Sequence, residues 1–555
     1  MFLWFLPSSG RKGNEEGLES DSYPLLEQPT DRSPSIHETA PEESEDKHGN
    51  ASNPPVTWSS LPNKTQLFIL LVVRFSEVAY RSSTRTYRFH QLRWFDPVVP
   101  DSSLSTQAGI IHGSSTAVQI FSGILIGRLA DTPWIGRKPM LLCGLFGYII
   151  SSVGLAFSKS FLAAVVFQVA GAVMDGISAL VRTTIAETMG EKKHLSRAFV
   201  LLPLFANVGG TLGPFMGGML ADPVHNYPSL FGKGSILGGV DGVQWMSRWP
   251  YALPNLATAG MCSLIAVMVV LCLDETLHSA RQRTNYGRQT AKAIARFLCW
   301  RPKSYQYQPV GETFSILRVE GAPIEDLRRP QSPHPRRLAG FRVLLGRNVL
   351  LTLSSRFLFS FHDITYISLS ALFFPTPRAS PFVHHGVYFG GGMGLSTAET
   401  GLAMSISGAI LIPLSLALYP TASARLGILR SYRIFLSLAL ILYIVTPFLV
   451  FVPDHVLPVW LALGAVMSLM GISRTFTCPA SAIILNYCIS DPSTLATVNG
   501  VGQSVTSAAN TIGPVLGSWG LDVGLKSNLV GIPWWGLGMV SLTQWIVLCY
   551  LKDVD

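Results

Sequence analysis

The chain has 555 residues, 48% hydrophobic and only 14% charged, with a mean hydropathy of +0.35. Soluble domains carry about a quarter charged residues, so this composition excludes an ordinary water-soluble protein and makes a bilayer the natural solvent. The net charge of +9 is spread over short segments between apolar runs rather than gathered on one helix or tail, which excludes a nucleic-acid footprint and marks the charge as topological.

The opening MFLWFLPSSGRKG puts only about six apolar residues ahead of its charges, too short and in the wrong order for a signal peptide. The first true span therefore directs insertion. Residues 1–64 are rich in Ser, Glu, Asp and Pro and cannot bury enough apolar surface to offset ordering entropy, so a disordered cytoplasmic tail is expected. Within it, the run from Asp21 to Leu26 matches an acidic dileucine sorting signal. The triplets Asn50-Ala51-Ser52 and Asn63-Lys64-Thr65 fit the glycosylation pattern, but stay bare on the cytoplasmic side.

Apolar runs near 66–89, 107–130, 139–158, 161–186, 197–220 and 251–273 are each long enough to cross the roughly 30 Å hydrocarbon layer. They predict an N-terminal six-helix half over 65–273. The first of them carries Arg74, Glu77, Arg81, Arg85 and Arg88 at spacings of three, four, four and three, which is one stripe of a helix. Each central charge costs roughly 2.5–3.5 kcal/mol to insert, so the stripe is predicted to line a wet interior path. Its positive sign predicts a cargo with an anionic or hydrogen-bond-accepting group, and Glu77 is the first candidate to carry a proton. Asp175 and Arg182 in the fourth span are seven apart and are expected to share a face.

Residues 274–347 are polar, and 281–347 hold fourteen Lys and Arg against four acids, a basic cytoplasmic linker. Further runs near 348–373, 399–419, 432–452, 457–484, 496–521 and 531–551 predict a C-terminal six-helix half over 348–551, leaving 552–555 as a cytoplasmic C-terminus. His362 and Asp363 interrupt the seventh span near its middle and are secondary candidates for cargo or proton contacts, as are Arg356 and Arg474. Arg137, Lys138, Lys192, Lys193, Arg425 and Arg430 lie in alternate short loops, which places both termini in the cytoplasm. The opposite loops, 91–106, 222–250 and 374–398, are poor in bases and belong outside or in a lumen.

An internal repeat supports two related halves. GTLGPFMGG ends at Gly218 in the fifth span and NTIGPVLGS ends at Ser518 in the eleventh, an offset of 300 residues. Small residues four apart, at Gly209, Gly213 and Gly217 with Gly218 alongside, let helices touch backbone to backbone, while Pro214 permits a bend.

The loop Gly127-Arg-Leu-Ala-Asp131-Thr-Pro-Trp-Ile-Gly136-Arg137-Lys138 resembles the major facilitator signature G-x-L-A-D-R-x-G-R-K, with two extra residues between Asp131 and Gly136. Close helix approach is expected at Gly127, pairing of Asp131 with a cation or helix N-terminus, and anchoring by Arg137 and Lys138. The glycine-proline run from Gly209 to Gly218 resembles the fifth-span motif of antiporters in that superfamily. From Leu61 onward the segments RFSE, GRLAD, EKKHLSRAF, PYALPNL, LDETL, ARLGILRSYR and NGVGQSV are similar to fungal members of its twelve-span drug:proton antiporter group.

That resemblance implies an all-α membrane protein with twelve spans, a rocker-switch exporter trading a small molecule for protons, with the cavity between the halves. Gln168 stands where the family's fourth span carries an arginine, which implies either a carrier without proton coupling or Arg182 in a related role. An uptake carrier and a non-transporting sensor remain as alternatives. A monomer in the plasma membrane is expected, with the vacuolar membrane as the alternative. No Gly-rich nucleotide cradle, clustered nucleophile or metal-ligand spacing occurs, so neither an ATP-driven pump, nor an enzyme, nor a cofactor is expected. His384-His385 sits alone in an outside loop, and the seven cysteines predict no disulfide framework.

Overall fold

In hydrocarbon every backbone N–H and C=O has to be satisfied within the chain, so apolar runs of this length fold as helices. The computed structural model describes residues 62–132, 134–189, 192–235, 237–277, 346–379, 384–487 and 492–551. The expectations for 1–61, including the sorting signal, for 278–345 and for 552–555 lie outside the described residues.

Before the linker stand α1 (Lys64–Thr86), α2 (Arg88–Phe95), α3 (Asp101–Ala130), α4 (Arg137–Ala156), α5 (Phe161–Val173), α6 (Ile177–Met189), α7 (Lys192–Leu220) and α8 (Ala252–Cys272). After it come α9 (Arg347–Phe373), α10 (Thr397–Leu426), α11 (Ile428–Val445), α12 (Val456–Tyr487), α13 (Pro492–Lys526) and α14 (Ile532–Tyr550). α2 continues from α1 across Tyr87, and α5 and α6 are two pieces of one span. Among the described residues this gives six long helical segments on each side of the linker. A two-residue hairpin, β1 (His384–His385) on β2 (Tyr388–Phe389), lies between α9 and α10.

Eight of these segments are long and apolar enough to cross a membrane by length and composition. The four that fall short, α1, α7, α9 and α13, each pack along another helix. α1 packs along α7 and α9 along α13, while α7 also meets α10 and α13 also meets α3 across the two halves. A helix shielded in this way tolerates Ser, Thr, Gly and charge that a lipid-facing helix does not. Large apolar side chains such as Phe121, Leu125, Leu162, Leu264, Leu461 and Met539 are exposed on the other segments, where acyl chains would cover them.

The repeat seen in the sequence recurs in the packing. A Cβ on Gly213 would lie 2.6 Å from the Ala79 carbonyl of α1, and one on Gly513 would lie 3.0 Å from the Phe361 carbonyl of α9. Gly209 and Gly217 approach the Phe75 and Ser83 carbonyls just as closely, so the glycine stripe of α7 seats α1 against its backbone. The helix starts at Gly136 and Gly427 are likewise equivalent, both with positive φ (87° and 75°), the conformation glycine adopts without penalty.

Candidate functional site

The charged stripe of α1 turns into its own half. Arg74 pairs with Glu77, and Arg81 reaches Glu77 at 3.6 Å while its other end pairs with Asp175 and donates to Gln119 at 3.1 Å. Tyr148 donates to the second oxygen of Asp175 at 2.7 Å, and its ring stacks on Tyr80 at 4.7 Å. The Tyr80 hydroxyl meets Ser151 at 2.7 Å and accepts from Gln168 at 3.1 Å, and Gln168 accepts from Arg88 at 3.0 Å. Charge on a span has to be matched by partners or water, and here α1, α3, α4 and the α5–α6 span each supply one.

Asp175 lies in the break between α5 and α6, buried, with Gly176 pressed against Ile126. The break interrupts the seven-residue spacing between Asp175 and Arg182, so Asp175 lies buried in the break and Arg182 about one and a half turns into α6. Arg182 is exposed on α6 and makes no hydrogen bond or ion pair among the described residues, although it feels the charges of Arg74, Arg356 and Glu77.

The second half holds an equivalent pair with its polarity reversed. Asp363 of α9 lies 2.8 Å from Arg474 of α12. Arg81 follows the Ala79 carbonyl by two residues and Asp363 follows the equivalent Phe361 carbonyl by two, so an arginine on α1 answers to a carboxylate on α9. Beside it, His362 is buried between Tyr443 (2.7 Å) and Gln544 (2.6 Å), and Gln544 donates to Tyr432 at 2.6 Å. His362 therefore belongs to an uncharged network inside α9, α11 and α14 rather than to the interior path. Arg356 donates to Thr506 at 3.0 Å and to the Ser481 carbonyl at 3.4 Å.

At one end of the bundle, called here the signature end, Arg137 bridges Asp131 (2.6 Å) and Glu187 (3.0 Å). Glu275 accepts the backbone N–H groups of Arg137 and Lys138, both at 3.0 Å, so a carboxylate sits on the positive N-terminus of α4. Lys138 donates to the carbonyls of Val270 and Leu273 at 2.8 and 2.7 Å. The loop thus ties α3, α4, α6 and the end of α8 together within one half. Gly127 does not provide the close helix approach expected of it: a Cβ there would meet nothing within 4 Å.

That open space is informative. Gly109 and Gly127 are eighteen residues apart, five turns, and so lie on one face of α3. At Gly109 a Cβ would come within 2.6 Å of Ser518 Cβ and 3.2 Å of the Pro514 carbonyl, both on α13. At the equivalent contact a Cβ on Gly401 of α10 would lie against the Pro214 carbonyl and 2.9 Å from Gly218 Cα, and Ser405 donates to the Thr211 carbonyl at 2.9 Å. Both repeat motifs therefore seal the far end. One continuous core joins Phe89, Leu92, Leu104 and Ile111 to residues of the second half there, whereas the core around Leu141, Tyr148 and Ile185 near the signature end is separate. The halves meet at the far end and part toward the signature end.

Between them, just inside the seal, lies a cavity of about 50 Å³ bordered by Arg81, Arg85, Arg88, His112, Gln168, Ser368 and Ser518. Among the described residues no carboxylate borders it. Of the interior arginines, Arg85, Arg88, Arg182 and Arg356 have no carboxylate partner among the described residues. Among those residues no group of three or more His, Cys, Asp or Glu could hold a metal ion.

Sequence reasoning brought Arg74, Glu77, Arg81, Gln168 and Asp175 to one place in outline but missed Gln119, Tyr80, Tyr148 and His112. Neutral groups give no signal until packing shows what they face. Glu187 and Glu275 were also missed as partners of the signature loop. The acid in LDETL, directly after a span that ends beside Arg137, was the available clue.

A family model described as Major Facilitator Superfamily matches residues 95–518. A major facilitator superfamily multidrug transporter of Aspergillus fumigatus, mfsB, is 27% identical over 90% of this chain and 85% of its own length. The major facilitator-type transporter psiT2 of Psilocybe cyanescens is 23% identical over 86% of this chain and 88% of its own. Among solved structures, a POT family transporter in complex with a thioalcohol-conjugated peptide superposes with a TM-score of 0.58 at 11% identity, covering 89% of this chain and 99% of that one. The xylose transporter XylE of E. coli in its inward-open conformation gives 0.56 at 12% identity, covering 88% and 96%.

Proposed function

Because this chain belongs to the major facilitator superfamily, a family of membrane transporters rather than enzymes, we propose that it exports a small organic molecule with an anionic group in exchange for protons. It is a multi-pass membrane protein. In the proposal it works as a monomer in the plasma membrane, with the signature end facing the cytoplasm, and the two halves rock about the arginine-bordered interior.

The observation that carries the proposal is the set of buried or half-buried interior arginines that have no carboxylate partner among the described residues: Arg85, Arg88 and Arg356. Buried charge that is not matched within the protein is expensive, and an anionic cargo supplies the match. A cationic cargo would meet like charge in low dielectric. Two relatives are named as a multidrug transporter and an efflux pump, which favours export. The proton is assigned to Asp363 ahead of Glu77. Asp363 pairs with one guanidinium, whereas protonating Glu77 would take the carboxylate from Arg74 and one of two from Arg81.

Comparison of intracellular and extracellular metabolites in cells lacking or overproducing the protein tests the proposal. Export predicts that one or more organic acids accumulate inside the deletion cells, and that collapse of the pH gradient reproduces the accumulation. Depletion of those acids in deletion cells would make it an uptake carrier. No change in either strain would favour a sensor, the role that Gln168 and the two-residue insertion in the signature loop suggest.

A further inference from the structure

Several of the polar groups that border the cavity inside the far seal have no partner among the described residues. Arg85 makes no hydrogen bond or ion pair among the described residues, and it projects where the charges of Arg81, Arg88, Asp363 and Arg474 all reach it. Arg88 spends one amino group on Gln168, and its other one, Nη1, is buried without a partner. Nε2 of His112 and the hydroxyls of Ser368 and Ser518 are buried and unpartnered as well. Four buried, unpartnered groups and the Arg85 guanidinium, drawn from both halves, thus border one space of about 50 Å³ that no carboxylate lines among the described residues. Native interiors satisfy the great majority of their buried polar groups, so four exceptions at one cavity, beside an unpaired arginine, point to a missing ligand.

We propose that this cavity seats a carboxylate of the cargo. It is held between the guanidinium groups of Arg85 and Arg88, with His112 donating from the first half and Ser518 from the second. This rests on the proposal that the chain carries an organic anion, and it fixes where the charged head sits. The space admits a group of a few heavy atoms, about the volume of one or two waters, and not a whole organic molecule. The Gly109–Ser518 and Gly218–Gly401 contacts close it on the far side, so the rest of the cargo lies towards Arg81 and the signature end. A carboxylate is the chemistry that two arginine forks match, and its two oxygens leave lone pairs for the imidazole and the hydroxyl. A carboxylate in this seat also bridges the halves at their closed end and favours this conformation over one open at the far side.

The test uses the full chain in detergent and follows its thermal unfolding midpoint with sodium benzoate, benzamide, sodium chloride or sodium phosphate at matched ionic strength. Benzoate is expected to raise the midpoint saturably, while isosteric neutral benzamide and the two inorganic salts do not. Arg85→Gln is expected to weaken benzoate at least about ten-fold, the loss of one charge-assisted hydrogen bond. Arg128→Gln, at an exposed position near the signature end, leaves benzoate affinity unchanged. The unliganded Arg85→Gln protein is expected to be at least as stable as the wild type, since an unpartnered interior charge has been removed; a structural role for Arg85 would lower it.

Equal shifts with benzamide, no shift with any probe, or wild-type benzoate affinity in Arg85→Gln overturns the seat, and the first two need no variant. Equal shifts with chloride or phosphate overturn the carboxylate assignment in favour of an inorganic anion. Exchange of labelled benzoate across proteoliposomes separates this from transport itself. Binding lost in Arg85→Gln without exchange leaves the seat standing and removes transport, whereas exchange unchanged in Arg85→Gln does the reverse.

Discussion

Arg81 shows how one residue settles an ambiguity that spacing cannot. Its place in a stripe of charge on α1 requires shelter from lipid, but only the packed protein identifies Asp175, Gln119 and Glu77 as what shelters it. The pair should behave as a unit. Asp175→Asn keeps an acceptor for Tyr148 but leaves Arg81 only Glu77 and Gln119, and Arg81→Gln takes the cation from a buried carboxylate, so each single change should lower stability by about 1.5–3 kcal/mol. The double variant should cost clearly less than the sum, with a coupling of about 1–3 kcal/mol measured by thermal or denaturant unfolding of the purified protein. Additive losses would mean that the two side chains contribute independently. The sequence alone shows no sign of the break at Met174–Gly176, because the apolar run continues through it.

Among the elements, α7 and α13 do most to define the architecture, and their motifs were legible beforehand. Gly-Pro runs at an offset of 300 residues announced two halves, and both runs turn out to serve two contacts each: one to α1 or α9 within a half, one to α10 or α3 across halves. What the residues could not reveal is which neighbour each glycine faces, since a small residue permits close approach by any helix. Gly127 is the counterexample, with the same residue type and no neighbour. Gly213→Val should therefore force α1 away from α7, cost at least about 2 kcal/mol by overpacking, and reduce transport in proportion. Gly260→Ala in α8, where a Cβ meets nothing within 4 Å, should be neutral or stabilising by about 0.5–1 kcal/mol. Equal effects at the two positions would show that the Gly213 contact is not made in the membrane.

At the scale of the whole molecule, the two halves share their packing and differ in their charge. α1 carries arginine where α9 carries aspartate, and the surplus of unmatched arginine lies along the interface. Alternating access follows from such a frame if the seals are reciprocal: the Gly109–Ser518 and Gly218–Gly401 contacts must part as the region around Gly127 closes. Exposed positions at each end report on this directly, Leu125 of α3 with Gln503 of α13 near the signature end, and Val98 with Ser527 at the far end. The deciding measurement is the pair of inter-label distances by pulsed electron resonance in lipid nanodiscs, with and without an organic carboxylate and across a range of pH. Alternation about the arginine-bordered interior predicts two populations at each end that shift in opposite directions, one lengthening as the other shortens. A single unchanging distance at both ends, or both ends opening together, would contradict it.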